Sequence, residues 1–291
     1  MPLRVDRPET NEAKGQCLPV WRPGKWRRPF PKVMLAVGIG LVVTSIARTW
    51  AVSDEAGFEP IFDGRSLRGW ETPNPSYWTV EDGALTGRIT KEHPCPTNQY
   101  LVWTGRELAD FELKLKSRIN GDGAINNGFQ FRSRLLPDHD ICGYQVDNNL
   151  QTSWLVRLYD EYGRHTLAMR GERTQFDATG ARRTTKLDGA SEAAAAWFRL
   201  EDWHEYHLTC VGSKITLRVN DRLAAEVDDE DLRRQELEGV LALQLHSGPP
   251  TLAQFKDLRL KILKPPEKRR TPAPTKADKR RTALLRQSLA W

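Results

Sequence analysis

Residues 239–263, GVLALQLHSGPPTLAQFKDLRLKIL, decide the fold class. The first half alternates with a period of two, the mark of a half-buried β-strand. Leu241, Leu243 and Leu245 take one side, and Val240, Ala242, Gln244 and His246 the other. The leucine side belongs to a core. The opposite side ends in an amide and an imidazole, where a plain solvent face carries Lys, Glu or Thr. That composition suits the floor of a site for a polar ligand. Ser247-Gly248-Pro249-Pro250 then stops the strand, because proline fixes φ and has no N–H to donate. Leu258, Leu260 and Ile262 alternate with Arg259 and Lys261 in a closing strand.

Working outward, the same period recurs in short runs separated by Gly, Asn, Asp and Pro. Residues 77–80 and 84–88 flank Glu81-Asp82-Gly83, a hairpin turn of the Asp-Gly type. In 111–119, Phe111, Leu113, Leu115 and Ile119 face in, while Glu112, Lys114, Lys116 and Arg118 face water. Residues 206–211 and 214–220 form a second hairpin, and Asn220-Asp221 turns the chain into 222–227. This pattern predicts an all-β sandwich or barrel. Residues 169–196 are the least strand-like and read as either a lid over a sheet or a solvated insertion.

Three segments carry polar groups where 111–119 has only Lys, Arg and Glu. In 128–134, Phe129 and Phe131 point to the core, and Gln130 and Arg132 are expected together on the other face. In 141–147, Gln145 and Asp147 lie opposite Tyr144 and Val146. In 154–161, Arg157 and Tyr159 share a side, with Asp160 and Glu161 at the end. These strands are expected to line one polar sheet face. Trp154 is the tryptophan expected to stack on a sugar ring. Trp70, Trp78 and Trp203 read as core, and His93, His139, His165, His204 and His207 lack a site context.

Charge separates the domain from its ends. Residues 1–32 hold eight Lys or Arg against three acids, and residues 264–291 hold nine against two. With the whole chain at +6, residues 33–263 are left at −6. A nucleic-acid-binding fold is expected to carry its basic stripe on the folded part, so that class is excluded. Residues 33–47, VMLAVGIGLVVTSIA, are apolar and charge-free, preceded by Arg27, Arg28 and Lys32 and followed by Thr49-Trp50-Ala51. This is the pattern of a secretory signal. The run is short for a span, which takes about 17–25 residues. A cleaved signal, an uncleaved membrane tether and a buried segment remain open, and the first two place the domain in the periplasm, the cell envelope or outside the cell. The expected organisation is a basic leader (1–32), a signal or anchor (33–53), a β-sandwich (54–263) and a basic tail (264–291). After cleavage, Cys95, Cys142 and Cys210 would remain. Cys95 and Cys142 are candidates to pair, and Cys210 reads as a small buried hydrophobe.

Five segments in order carry a family resemblance: GFEPIFDGRSLRGW, WTVEDGALTG, NNGFQFRSR with GYQVDNN, WHEYHLTCVGSKITLRVNDRLAAEV, and LALQLHSGPP with its following strand. Jointly they resemble the 3-keto-disaccharide hydrolase domain family over residues 57–263. The resemblance implies a concanavalin- or laminin-G-like jelly-roll sandwich acting on oxidised disaccharides or glycosides. A ketone at C3 acidifies the C2 proton; a general base removes it, donors stabilise the enolate, and the aglycone leaves by β-elimination before water adds. No pair of glycosidase carboxylates is needed. His246 suits the base, since imidazole titrates near neutral pH. Arg132 suits the enolate, and Asp147, Asp160 and Glu161 suit either orienting the imidazole or holding a divalent cation through oxygen. Gln130, Tyr144, Gln145, Trp154, Arg157, Tyr159 and Gln244 are the expected substrate contacts. Family members often carry an acidic residue at the position of Gln145, so that role passes here to Asp147 or is lost. No GxSxG, HExxH or Gly-rich phosphate loop occurs. The rival classes are a non-catalytic carbohydrate-binding module and a structural envelope protein.

Overall fold

The computed structural model describes residues 55–149, 156–187, 199 and 201–264. The leader, the apolar run at 33–47, Trp154 and the basic tail lie outside the described residues. Among the described residues no helix is long and apolar enough to cross a membrane.

Two sheets face each other. Numbered in chain order, the larger runs β12 (Arg182–Lys186), β11 (Glu172–Phe176), β15 (Arg222–Asp229), β14 (Lys214–Val219), β13 (His204–Val211), β6 (Asp110–Gly121), β17 (Thr251–Lys264), β4 (Ala84–Ile89) and β3 (Trp78–Glu81). Short β1 (Glu59–Pro60) pairs with β17. The smaller runs β10 (His165–Met169), β9 (Arg157–Glu161), β8 (Ile141–Asn149), β7 (Asn126–Leu135), β16 (Val240–Leu245), β5 (Gln99–Trp103) and β2 (Trp70–Glu71). β11 runs parallel to β15. The result is the β-sandwich jelly roll that the family resemblance implies.

The period-two code sets the core. Phe111, Leu113 and Leu115 of β6, with Leu208 and Leu217 beside them, pack in one cluster with Phe129, Val146, Leu158, Leu241, Leu243 and Leu245 of the smaller sheet. Each such side chain contributes about 1.5–3 kcal/mol on full burial. The other side of β6 is basic and partly exposed at Glu112, Lys116 and Arg118, whereas Lys114, expected to face water, is buried against Glu55. Lys116 lies opposite Lys256, and Lys114 opposite Arg259. Like charges across a ladder repel, and Asp257 (2.9 Å from Lys116) and Glu55 (2.7 Å from Arg259) relieve them.

One strand departs from simple alternation. Between Gln130 and Arg134, β7 has one residue more than both neighbours, since Gln130 pairs with Gln145 and Ala242 while Arg134 pairs with Cys142 and Ser133 with Val240. This is a β-bulge. Arg132 sits in it at φ +48°. Glycines make the room. A Cβ at Gly239 would lie 2.4 Å from the Ser133 carbonyl oxygen, and one at Gly143 would lie 2.9 Å from the Ser133 Cα.

The bulge overturns the expectation that Arg132 shares the face of Gln130. The guanidinium is buried and turned to one end of the sandwich. There it donates to the carbonyls of Ala109 (2.8 Å) and Gly212 (2.6 Å) and to the Asp110 carboxylate (3.2 Å). Arg132 ties loops together and is remote in role from an enolate.

Three other expectations change. Within the segment read as a lid or an insertion, residues 172–186 are a hairpin that extends the larger sheet through β15, so this part does not lie over the polar face; residues 188–196 are outside the described residues. Cys95 is a free thiol, so Cys95 and Cys142 do not pair. Cys210 is buried as expected, and burial pushes its thiol up to about 12. Trp70 and Trp78 are core, but Trp203 is half-buried between the cations of Arg118 (4.5 Å) and Lys256 (4.1 Å).

Candidate functional site

The face of the smaller sheet turned away from the core holds the candidate site. Alternation puts Tyr100 of β5, Ala242 and Gln244 of β16, Gly128 and Gln130 of β7, Gln145 and Asp147 of β8, and Arg157, Tyr159 and Glu161 of β9 on this side. Register aligns them in two rows. Tyr100, Gln244, Gly128, Asp147 and Arg157 form one, and Val102, Ala242, Gln130, Gln145 and Tyr159 the other. Tyr100, Ala242 and Ile141 form a small apolar cluster separate from the main core.

The polar groups form a connected floor. Gln145 Nε2 donates to Gln244 Oε1 (2.7 Å), and Gln244 Nε2 donates to the Tyr100 hydroxyl (3.3 Å). Gly128 lies between these strands, and a Cβ there would meet the Val146 carbonyl at 2.5 Å and Gln145 Nε2 at 2.9 Å. Tyr100 is the residue sequence reading misses. Its strand, QYLVW, gives no polar alternation to announce it. Burial, then the charges of Glu161 and Asp140, hold its phenol well above the usual range, so it stays protonated.

Asp147 is the buried carboxylate of this floor. Oδ2 accepts from Arg157 Nε at 2.6 Å. Oδ1 has no hydrogen bond. Burial raises its pKa, and Arg157 pulls it back. Arg157 also reaches Thr166 Oγ1 (3.1 Å) and lies 4.3 Å over the Tyr159 ring. Gln130 Nε2 and Asn126 Oδ1 are likewise buried without a partner. Such atoms cost about 1–3 kcal/mol each when nothing binds them.

His246 stands at the end of β16, partly exposed. Its Nδ1 lies 2.6 Å from the Ser247 carbonyl oxygen. A carbonyl only accepts, so Nδ1 carries the proton and Nε2 of the neutral ring is left as a lone pair. Ser247 is itself held by its N–H to Asn98 Oδ1 at 3.0 Å.

Two expected site residues point the other way. Tyr144 faces the larger sheet, packs on Phe131 (5.7 Å between ring centroids) and donates to Asp229. Asp160, its cross-strand neighbour, faces the same interior, where Arg164 Nε meets it at 3.1 Å and also pairs with Asp229. Both follow from strand parity: Tyr144 and Asp160 are one residue out of phase with Gln145 and Tyr159. The expected Asp147, Asp160 and Glu161 set therefore does not converge, since Asp160 lies on the opposite face. Among the described residues no group of three or more His, Cys, Asp or Glu could hold a metal ion, so the donors present do not fit the divalent cation considered from sequence. The structure brings together His246, Asp147, Gln130, Gln145, Gln244, Arg157 and Tyr159, with Glu161 at the same face.

This face of the β-sandwich is thus lined by amides, two phenols, two carboxylates, a guanidinium and an imidazole. The chain belongs to the 3-keto-alpha-glucoside-1,2-lyase-like domain family, whose model matches residues 57–261. Membership makes its function carbohydrate-related. No curated protein matches. Among solved structures, a putative glycosyl hydrolase from Parabacteroides distasonis is similar at 16% identity and TM-score 0.46, over 74% of this chain and 99% of that one. The carbohydrate-binding module CBM66 from Bacillus subtilis is similar at 17% identity and TM-score 0.44, over 66% and 95%. A Bacillus subtilis protein of unknown function with a galectin-like fold is similar at 11% and 0.45, over 67% and 90%.

Proposed function

We propose that this domain cleaves glycosides whose sugar carries a ketone at C3, by elimination followed by hydration. The observation that carries the reading is His246, whose Nδ1 meets the Ser247 carbonyl and leaves Nε2 of the neutral ring to take a proton, on the sheet face that holds Asp147. In the reaction, Nε2 takes the C2 proton. The C2–H electron pair becomes the C1=C2 bond, the C1–O bond breaks, and the aglycone oxygen takes a proton from the imidazolium. Water then adds its oxygen to C1 and a proton returns to C2. Asp147 stabilises the imidazolium by charge. Gln130 Nε2, an N–H donor without a partner, replaces Arg132 as the group for the enolate oxygen. Gln145, Gln244 and Tyr100 hold sugar hydroxyls.

The test is turnover of 3-keto-trehalose against trehalose, with and without chelator, reading the conjugated enone by ultraviolet absorbance. His246→Gln is expected to keep the fold and lose about 10²–10⁴-fold in rate. In heavy water the wild type exchanges deuterium into C2 of a 3-keto analogue whose aglycone cannot leave, and the variant does not. Equal exchange in both removes His246 as the base. Binding without any turnover assigns the domain to a carbohydrate-binding role. From residues 33–47 we also propose that the protein is secreted, periplasmic or held in the cell envelope. Mass spectrometry of the mature N-terminus checks it, with cleavage near Ala51 expected and an intact apolar run marking a tether.

A further inference from the structure

Beside the floor lies a second feature that the reaction does not use. A cavity of about 630 Å³ is lined by Tyr77, Pro94, Cys95, Pro96, Ser247 and Gly248. It lies one residue along the chain from the proposed base, since Ser247 lines it and the Ser247 carbonyl meets His246 Nδ1. None of the six lining side chains carries a charge at neutral pH, burial pushing the Cys95 thiol upward.

The polar groups of this wall are already engaged. The Tyr77 hydroxyl donates to the Pro94 carbonyl (2.8 Å), and the Cys95 thiol to the Thr97 carbonyl (3.0 Å). Gly248 N–H donates to the Cys95 carbonyl (3.3 Å). Ser247 N–H is taken by Asn98, and its carbonyl by His246. That leaves the Ser247 hydroxyl, two proline rings and the Tyr77 ring, which is fixed by stacking on His93 at 4.2 Å. A second hexose needs several hydrogen bonds from its subsite. A planar apolar group needs only contact, which proline and tyrosine faces supply.

We propose that this cavity is the aglycone subsite and that it takes an apolar, aryl-type aglycone in preference to a second sugar. The proposal rests on the 3-keto-glycoside reading for its chemistry, and its test separates the two. The full chain is assayed with 3-keto benzyl glucoside, 3-keto methyl glucoside and 3-keto-trehalose, benzyl and methyl alcohol being leaving groups of similar acidity. The benzyl substrate is expected to exceed the methyl one by about tenfold or more in kcat/KM, the scale an apolar pocket gives an added hydrocarbon group. Pro96 is exposed, so Pro96→Glu places a carboxylate at the rim without entering the core. It is expected to abolish the benzyl preference, read as the ratio of the two kcat/KM values. Independently of turnover, benzyl glucoside binding is followed by ligand-observed NMR, with binding expected in wild type and lost in Pro96→Glu. Equal rates for the benzyl and methyl substrates, or benzyl binding indifferent to Pro96→Glu, overturn the subsite. Absence of turnover on all three substrates overturns the 3-keto reading instead, and the binding result alone then decides the subsite.

Discussion

Replacing Arg157 by Met isolates what keeps a carboxylate inside the polar floor. The Arg157 and Asp147 side chains are 12% and 3% exposed and meet at 2.6 Å. Removing one half of a buried pair strands the other charge and costs about 3–5 kcal/mol. At about 3 kcal/mol per molar urea, the upper end for small domains, the unfolding midpoint falls by about 1–1.7 M. The pH dependence carries the argument. Burial holds the Asp147 pKa above its unfolded value and Arg157 pulls it down, so the variant's folded-state pKa rises further. A carboxyl with a raised folded pKa binds more protons folded than unfolded. Its share of stability is therefore full below the unfolded pKa, about 3.9, and is lost as pH rises through the folded value. The urea deficit of Arg157→Met is expected to be largest at pH 7 and to shrink as pH falls toward 4.5. Adding Asp147→Asn is expected to recover most of it at pH 7. A deficit identical at both pH values, and untouched by Asp147→Asn, would refute the buried-charge reasoning.

Three further outcomes are expected. Arg132→Met removes donors from Ala109, Gly212 and Asp110 together; urea unfolding should show a loss of about 3–5 kcal/mol, with kcat of the surviving folded protein near wild type. Gly128→Ala forces a Cβ to 2.5 Å from the Val146 carbonyl, so a loss of about 1–3 kcal/mol and weakened sugar binding by calorimetry are expected; wild-type affinity would argue that ligand does not cross Gly128. Tyr100→Phe strips the acceptor from Gln244 Nε2, and a KM rise of about tenfold with an unchanged pH–rate profile is expected, whereas a shifted profile would make Tyr100 itself the titrating group.

Most of the sandwich is legible in sequence because burial on one face writes a period-two pattern. The alternation in β6 and β16, and the hairpin of β13 and β14, lie where that pattern places them. What sequence does not reveal is phase and pairing. Nothing in FQFRSR marks the extra residue that turns Arg132 away, since the bulge depends on absent Cβ atoms at Gly143 and Gly239, far off in the chain. The same strand parity that correctly separates Gln145 from Tyr144 also puts Asp160 inside, but its position at a strand end disguises this. Tyr100 is hidden for another reason: in a run of apolar residues a phenol reads as core, and only the register with Gln244 shows its hydroxyl on the floor. The hairpin 172–186 is mostly exposed and sends only Thr174 and Phe176 into burial. It joins the larger sheet by backbone pairing to β15, a bond type that leaves little trace in side-chain composition.

The bulge also has a bearing on how this domain tolerates change. Arg132, Gly143 and Gly239 act as one instruction written in three places. An alanine at either glycine meets the displaced backbone of β7, and removing the extra residue from β7 leaves both glycines opposite empty space and swings every later side chain of that strand to the wrong side. No single step between the bulged and regular forms is neutral. A designer who grafts this polar floor onto another sandwich must carry all three positions or none. In a drifting lineage the three should change together, which makes them a signature for separating true relatives of this site from sandwiches that share only its outline.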